Sequence, residues 1–370
     1  MSRLPIMLLA DLKAATSVPD DLYRRYELYG SVINKISKGK SPGLLLISGG
    51  HQRDSFSSTD NHLQHFAHAA KRTQFRKAAT IAFRELQSRH ILPTMIIAGD
   101  PFFGLLSAFL LRKKFSRKIP IQVSFHGEIT KSGFGTGIKG RLQNLFIQKT
   151  IAKVESVRLV SNDQIHFAKK LFGVVDKQIV IAPVPLISTF KRTTRSKKKV
   201  VAFVGRIHPQ RGVGTWVEAM KNLSVKAEAL IIGDGPLKST FIEDLKEIPK
   251  VSINATGYIS QSELENTWAK ISVLLSTAPF ESYGMAMREA VLHGVPVVSM
   301  RNSGAQNLHN ECPKMITLVD NAEEAARAIE KVLNRPPSAV VVNKYKKDFL
   351  KAQESYLKSL AKSWLGNVGD

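Results

Sequence analysis

One cysteine, Cys312, stands in a chain of 370 residues, so no disulfide can close within it. That usage fits a reducing compartment. No run of about 18 apolar residues occurs, which excludes a bilayer-spanning helix. The apolar stretch at 4–10 is short, is followed by Asp11 and lacks a cleavage site. It reads as a first strand and not as a signal peptide. No internal repeat is apparent. No Gly-x4-Gly-Lys-Ser/Thr word is present, which removes a P-loop. No Asp-x-Asp pair is available to hold a divalent cation on a nucleotide, and neither cofactor nor metal is expected. His62, His65 and His68 step by three, but no cysteine or carboxylate completes a ligand set. On the helix expected there, successive imidazoles rotate about 60° apart, too far to converge. Acidic residues are also scarce: 30 Asp+Glu against 54 Lys+Arg, for a formal net charge of +24.

The charge is uneven. Residues 1–196 hold 31 Lys+Arg against 12 Asp+Glu, whereas the remainder holds 23 against 18. A basic first half calls for an anionic partner: a membrane surface, a nucleic acid or an acidic acceptor. Basic clusters fall at Lys71, Arg72, Arg76 and Lys77, inside a predicted helix, and at Arg112, Lys113, Lys114, Arg117 and Lys118. A basic amphipathic helix suits an anionic bilayer, and a solvated helix face is the plainer alternative. Neither cluster interleaves aromatics for base stacking, so nucleic acid is not the expected partner.

Apolar strands alternate with helical segments through the whole chain, the pattern of doubly wound parallel α/β sheets. Strands are predicted at 5–12, 43–48, 94–98, 119–125, 157–160 and 179–182. Helices are predicted near 21–36, 60–88, 101–115, 139–153 and 163–172. A basic, polar run follows, and a second alternation opens with strands at 200–204, 227–232, 251–255, 271–276, 296–300 and 315–319. The reading is two tandem Rossmann-like domains facing a cleft. They occupy 1–190 and 200–343, with a linker at 191–199 and a C-terminal helix at 344–370 that crosses back to the first domain.

The chemistry centres on Pro279-Phe-Glu-Ser-Tyr-Gly-Met-Ala-Met-Arg-Glu-Ala290. It lies between two apolar strands and contains a helix start, so it belongs at the carboxyl edge of the sheet, where ligands bind. Amides from Gly284 to Met287 would begin that helix without partners and favour an anion such as phosphate. Glu281 and Glu289 are eight residues apart, roughly 12 Å along a helix. At that distance they do not share a proton or a metal. They can accept hydrogen bonds from two polyols flanking a diphosphate, a sugar and a ribose. Val200-Val-Ala-Phe-Val-Gly-Arg-Ile-His-Pro-Gln-Arg-Gly212 adds Arg206 and Arg211 above a strand end, and two guanidinium forks suit a diphosphate. Ile231-Ile-Gly-Asp-Gly235 is another glycine turn. Gly257 and Tyr258 close the next strand and border a nucleobase in this reading. Gly135-Thr-Gly-Ile-Lys-Gly140 spells G-x-G-x-x-G, but it stands about nine residues beyond its strand and reads as a loop.

Taken together, Phe203-Val-Gly-Arg206 with Arg211-Gly212, Ile232-Gly-Asp-Gly235, Thr256-Gly-Tyr258, and Pro279-Phe-Glu281 through Glu289-Ala290 with Gly294-Val-Pro-Val-Val298 resemble the retaining glycosyltransferases of family 4, which have the GT-B fold. The likeness covers about residues 200–335; Gln122-Val-Ser-Phe-His-Gly127 carries a fainter one. The resemblance implies that Arg206 and Arg211 hold the donor diphosphate. Glu281 would bond the donor sugar, amides at Gly284, Met285 and Ala286 would cradle its oxygens, and Glu289 would bond the ribose. His126 would sit by the anomeric carbon. Three features depart from the family. Its second cation is more often lysine than arginine. Leu8-Leu-Ala-Asp-Leu-Lys-Ala-Ala15 lacks the usual glycines. Ala182-Pro-Val-Pro185 replaces Asn-Gly-Val.

The expected activity is transfer of a hexose from a UDP- or GDP-linked sugar to a hydroxyl of a glycan or lipid-linked envelope acceptor. Configuration would be retained and no metal required. The chain would be cytoplasmic and peripheral on the inner face of the membrane. A sugar-nucleotide epimerase of the same fold and a basic protein that binds nucleic acid or another anionic surface stay open as alternatives.

Overall fold

The computed structural model describes residues 2–9, 20–49, 56–57, 62–71, 73–115, 118–126, 129, 133, 135, 137–188 and 198–366. The chain divides into two compact units, Met1–Pro185 with Ala352–Asp370, and Leu186–Lys351. Of the linker expected at 191–199, only Lys198 and Lys199 lie among the described residues.

The first unit contains strands β1 (Ser2–Leu9), β2 (Leu44–Ser48), β3 (Phe56–Ser57), β4 (Leu63–Ala67), β5 (Ile91–Ala98), β6 (Ile121–Phe125), β7 (Ser156–Leu159) and β8 (Ile179–Ile181). Its helices are α1 (Asp20–Ile36), α2 (Phe75–Ser88), α3 (Phe103–Lys113), α4 (Ile138–Thr150) and α5 (Asp163–Phe172). The sheet order is β3-β4-β2-β1-β5-β6-β7-β8. The β3–β4 pairing is antiparallel; the pairings around β1, β2, β5, β6 and β7 are parallel. Every residue of β2, β5 and β6 is buried, as continuous apolar runs require when helices cover both faces. Alternate residues feed two cores: Leu45, Ile47, Ile96 and Val123 in one, Leu44, Leu46, Met95 and Ile97 in the other.

The second core also receives Trp364, near the end of α12 (Ala339–Leu365). Its indole N–H donates to Gln122 Oε1 at 2.7 Å, and its carbonyl accepts from Thr94 Oγ1 at 2.9 Å. The last helix thus begins in the second unit and ends in the first.

The helix expected over 60–88 is corrected. Residues 63–67 are β4, and α2 starts only at Phe75. Leu63 and His65 are fully buried on alternate positions, a period of two that argues strand. His65 is fixed by Ser48 Oγ at 2.7 Å and Tyr23 Oη at 2.9 Å. The histidines therefore do not step around a helix, and Lys71 precedes α2 while Arg76 and Lys77 open it. The fifth strand also starts three residues earlier than expected, through Pro93. Proline is tolerated because β6 joins β5 only from Ile96.

The second unit contains β9 (Val200–Val204), β10 (Ala227–Ile232), β11 (Val251–Gly257), β12 (Val273–Ser276), β13 (Val297–Met300) and β14 (Ile316–Val319). Its helices are α6 (Val213–Lys221), α7 (Lys238–Lys246), α8 (Gln261–Thr267), α9 (Met285–Leu292), α10 (Ser303–Glu311) and α11 (Ala322–Asn334), followed by the first part of α12. The order is β11-β10-β9-β12-β13-β14, all parallel. The chain winds outward from β9 in one direction, then returns to its other side at β12. The crevice above β9 and β12 is the topological switch point of this sheet.

Cys312, at the end of α10, is 3% exposed, and burial pushes its thiol up to about 11. The thiolate is the nucleophile, so at pH 8 its fraction is on the order of one in a thousand. Iodoacetamide should label the native chain very slowly and the denatured chain to one equivalent. Prompt stoichiometric labelling of native protein would contradict this packing.

Candidate functional site

Two loops meet at the switch point, one after β9 and one after β12. Their contact is set by backbone. Gly212 has a φ of +64°, and a Cβ there would lie 2.1 Å from the Thr277 carbonyl oxygen. Only glycine tolerates both the left-handed conformation and the approach. Thr277 Oγ1 donates to the Arg211 carbonyl at 3.0 Å. Arg211 is thereby held over the second loop, where its Nη1 donates to Glu281 Oε2 at 2.5 Å. The two side chains are 42% and 23% exposed, so the pair contributes at most about 1 kcal/mol to stability. Its consequence is positional: a cation and an acceptor face the same space.

Helix α9 supplies the third element. Gly284 caps it with a φ of +74°. The Arg288 amide donates to the Gly284 carbonyl at 3.0 Å, so the amides of Met285, Ala286 and Met287 precede the first intrahelical bond. An open recess of about 380 Å³ is lined by Arg211, Thr277, Glu281, Gly284, Ala286 and Met287, among others. A guanidinium and a helix N-terminus on one recess favour an anion, and the carboxylate beside them favours hydroxyl donors.

The sequence-predicted residues divide accordingly. Arg211, Glu281, Gly284 and Ala286 share the recess. Arg206 lies just beyond the end of β9 and is exposed. The Met285 side chain packs on the core, leaving its amide as the relevant group. Glu289 lies on α9 with 7% exposure. Gly257 ends β11 with a φ of +73°, and its carbonyl accepts from the Gly233 amide at 2.8 Å. Tyr258 beside it is 68% exposed.

Other residues hold the loop and escaped the sequence reading. Asn302 caps α10 and donates to the Ala278 carbonyl at 2.9 Å, and the Gly304 amide donates to the Glu281 carbonyl at 2.6 Å. Arg288, 3% exposed, donates to the Tyr283 carbonyl at 3.0 Å and stacks over the Tyr283 ring at 4.3 Å. Its other nitrogens reach Glu311 at 2.5 and 2.8 Å and Tyr345 Oη at 3.1 Å. Burial disfavours that charge, but Glu311 and the two phenols override it, and the guanidinium is held protonated. A lone arginine inside an apolar helix is the only trace of this clamp in the sequence.

His126 belongs to the first unit, directly after β6; Gly127 lies outside the described residues. Desolvation is the largest effect on the ring, followed by the Arg158 and Arg25 guanidiniums, and together they push its pKa down to about 3. The ring nonetheless keeps open surface, which restores some water, so the direction is what governs: a neutral imidazole at pH 7. Arg158 is 1% exposed and donates to the Ala182 and Pro183 carbonyls and to Tyr29 Oη. The first two residues of the stretch 182–185, where the sequence departs from the family, are therefore pinned by a buried cation.

Two Rossmann-like units, one with a crevice at its switch point lined by a guanidinium and a helix N-terminus, give the protein the GT-B fold. Residues 187–349, which make up most of the second unit, match the family described as glycosyl transferases group 1. A GDP-mannose-dependent alpha-mannosyltransferase of Corynebacterium glutamicum is 30% identical over 141 residues, 37% of this chain and 32% of that protein. A GDP-mannose-dependent alpha-(1-6)-phosphatidylinositol dimannoside mannosyltransferase of Mycobacterium tuberculosis is 28% identical over 137 residues, 36% of this chain and 35% of that protein. The chain thus spans about a third of the length of these relatives. The solved structure of sucrose-phosphate synthase from Thermosynechococcus elongatus superposes with a TM-score of 0.73 over 98% of both chains at 15% identity, a likeness of fold.

Two outcomes are expected. Arg288→Met keeps apolar volume but removes the clamp, and should destabilise the second unit by about 2–4 kcal/mol in chemical denaturation; a change under about 0.5 kcal/mol would refute the clamp. Because the unfolded chain takes a proton near pH 6.5 and folded His126 resists it, acidification through that window weakens the fold. The His126 ring signals should therefore stay constant in NMR spectra between about pH 8 and pH 5; an ordinary titration near 6.5 would overturn the assignment.

Proposed function

We propose that the protein transfers a hexose from a nucleoside-diphosphate sugar to a hydroxyl of a glycan or lipid-linked acceptor, with retention and without a metal. One observation carries the reading: Arg211, Glu281 and the α9 N-terminus line one recess at the switch point. The donor diphosphate is held by Arg206, Arg211 and the amides of Gly284, Met285 and Ala286. As the glycosidic bond breaks, charge grows on the leaving diphosphate. Groups already fixed in place stabilise that charge without reorganising. Glu281 accepts hydrogen bonds from the sugar and Glu289 from the ribose. Gly257 and Tyr258 border the base. His126, neutral at pH 7, positions donor and acceptor by hydrogen bonding and carries no charge of its own.

Donor chemistry is supported by the mannosyltransferase relatives, whose names state GDP-mannose dependence. A phosphatidylinositol-based acceptor in one of them supports a lipid-linked acceptor here. The basic first unit suits such an acceptor and an anionic membrane surface. No helix of the described residues is long and apolar enough to cross a membrane, so attachment is peripheral in this reading, on the cytoplasmic face.

The test is a screen of UDP- and GDP-sugars for thermal stabilisation, followed by transfer assays with the stabilising donor. Glu281→Ala and Arg211→Ala should each lower turnover by on the order of 10²–10³-fold while the fold persists. Wild-type rates in both would remove the assignment.

A further inference from the structure

Helix α4 is apolar on two opposite sides. Gly140 and Ile147 face inward and are buried, as expected of a helix covering a sheet. Ile138, Leu142 and Leu145 face outward and are 81%, 63% and 45% exposed. Their spacing of four and three residues sets them in one stripe. Beside the stripe lies an open recess of about 1010 Å³, walled by Phe102, Phe103 and Leu106 before and within α3 and by Ile138, Leu142 and Phe146 of α4. A contiguous apolar surface of this kind is uncommon on a face that meets only water.

The charge on α4 itself has one sign. Residues 129–154 hold five Lys+Arg and no Asp+Glu. Lys139, Arg141 and Lys149 are exposed on α4 itself, and Lys113 and Lys114 are exposed at the end of α3. A second copy docking on this face would bring like charges together, which opposes association. An apolar stripe flanked by cations matches the interfacial region of an anionic bilayer, where side chains enter the acyl boundary and ammonium and guanidinium groups meet headgroup phosphates.

We propose that the outward face of α4, with the adjoining α3–α4 recess, is the surface by which the protein docks on an anionic lipid bilayer. The proposal rests on the membrane-attached reading above and assigns it to one face. It moves the contact from the basic segment around Lys71 to a helix that the sequence reading did not single out for charge or exposed apolar surface, and it keeps Lys113 and Lys114 of the second cluster at its flank.

The experiment is co-sedimentation of the full chain with vesicles of phosphatidylcholine alone and of phosphatidylcholine mixed with phosphatidylglycerol. The wild type should bind the mixed vesicles and release them at high salt. Ile138→Glu combined with Leu142→Glu should lower binding by on the order of tenfold or more. Both positions are exposed, and unchanged thermal stabilisation by a nucleotide sugar verifies that the variant is folded and its recess intact. Equal binding by variant and wild type overturns the α4 assignment and leaves membrane attachment standing. No preference of the wild type for the mixed vesicles overturns attachment and the face with it. A dimer in sedimentation velocity that the variant abolishes, with no vesicle binding, overturns the bilayer in favour of a second copy.

Discussion

The contact between the Gly212 Cα and the Thr277 carbonyl is the constraint on which the rest of the site depends. A side chain at 212 would force two loops apart by the width of a methyl group. With no side chain there, the loop after β9 closes on the loop after β12, and Arg211 arrives within hydrogen-bonding distance of Glu281. The recess is a consequence of that closeness. Parallel strands bring the two loops to one edge, but only the glycine lets them touch.

Rigidity at this edge comes from polar groups buried beneath it. Arg288 ties the Tyr283 carbonyl to Glu311 and Tyr345, and Asn302 and Gly304 tie the stretch 278–281 to the start of α10. A buried charge is costly to desolvate unless it is bonded on every side. Here the partners of Arg288 on α9 come from α10, α12 and the loop itself, so the loop cannot shift without breaking several bonds. Electrostatic stabilisation of a leaving group needs donors that do not reorganise, and this network gives the loop that property. In the first unit a second buried cation, Arg158, plays a comparable structural part at 182–183, and after desolvation it is the next largest influence that favours neutral His126.

Much of this was legible in the sequence. Runs such as Leu44-Leu-Leu-Ile-Ser48 and Val200-Val-Ala-Phe-Val204 are too apolar for half-exposed strands, and both proved buried strands of parallel sheets. The glycine–arginine and glutamate–glycine words placed Arg211, Glu281 and Gly284 together before any coordinates did. What was misread had weak local signals. Leu63-Gln-His-Phe-Ala67 alternates over only five residues, and a longer helical pattern downstream masked it. Arg288 carried no signal of its partners in the sequence, because nothing local reveals that they are Glu311 and Tyr345, far along the chain.

The sequence by itself determined the two parallel α/β units, the strands that end at the site and the residue types that line it, because periodicity and turn chemistry are local. Tertiary structure alone decided which helix face stays bare, which arginine is buried and how closely two loops approach. Those depend on what each residue packs against, and the packing partners of Gly212, Arg288 and Leu142 are set by distant parts of the chain or by their absence.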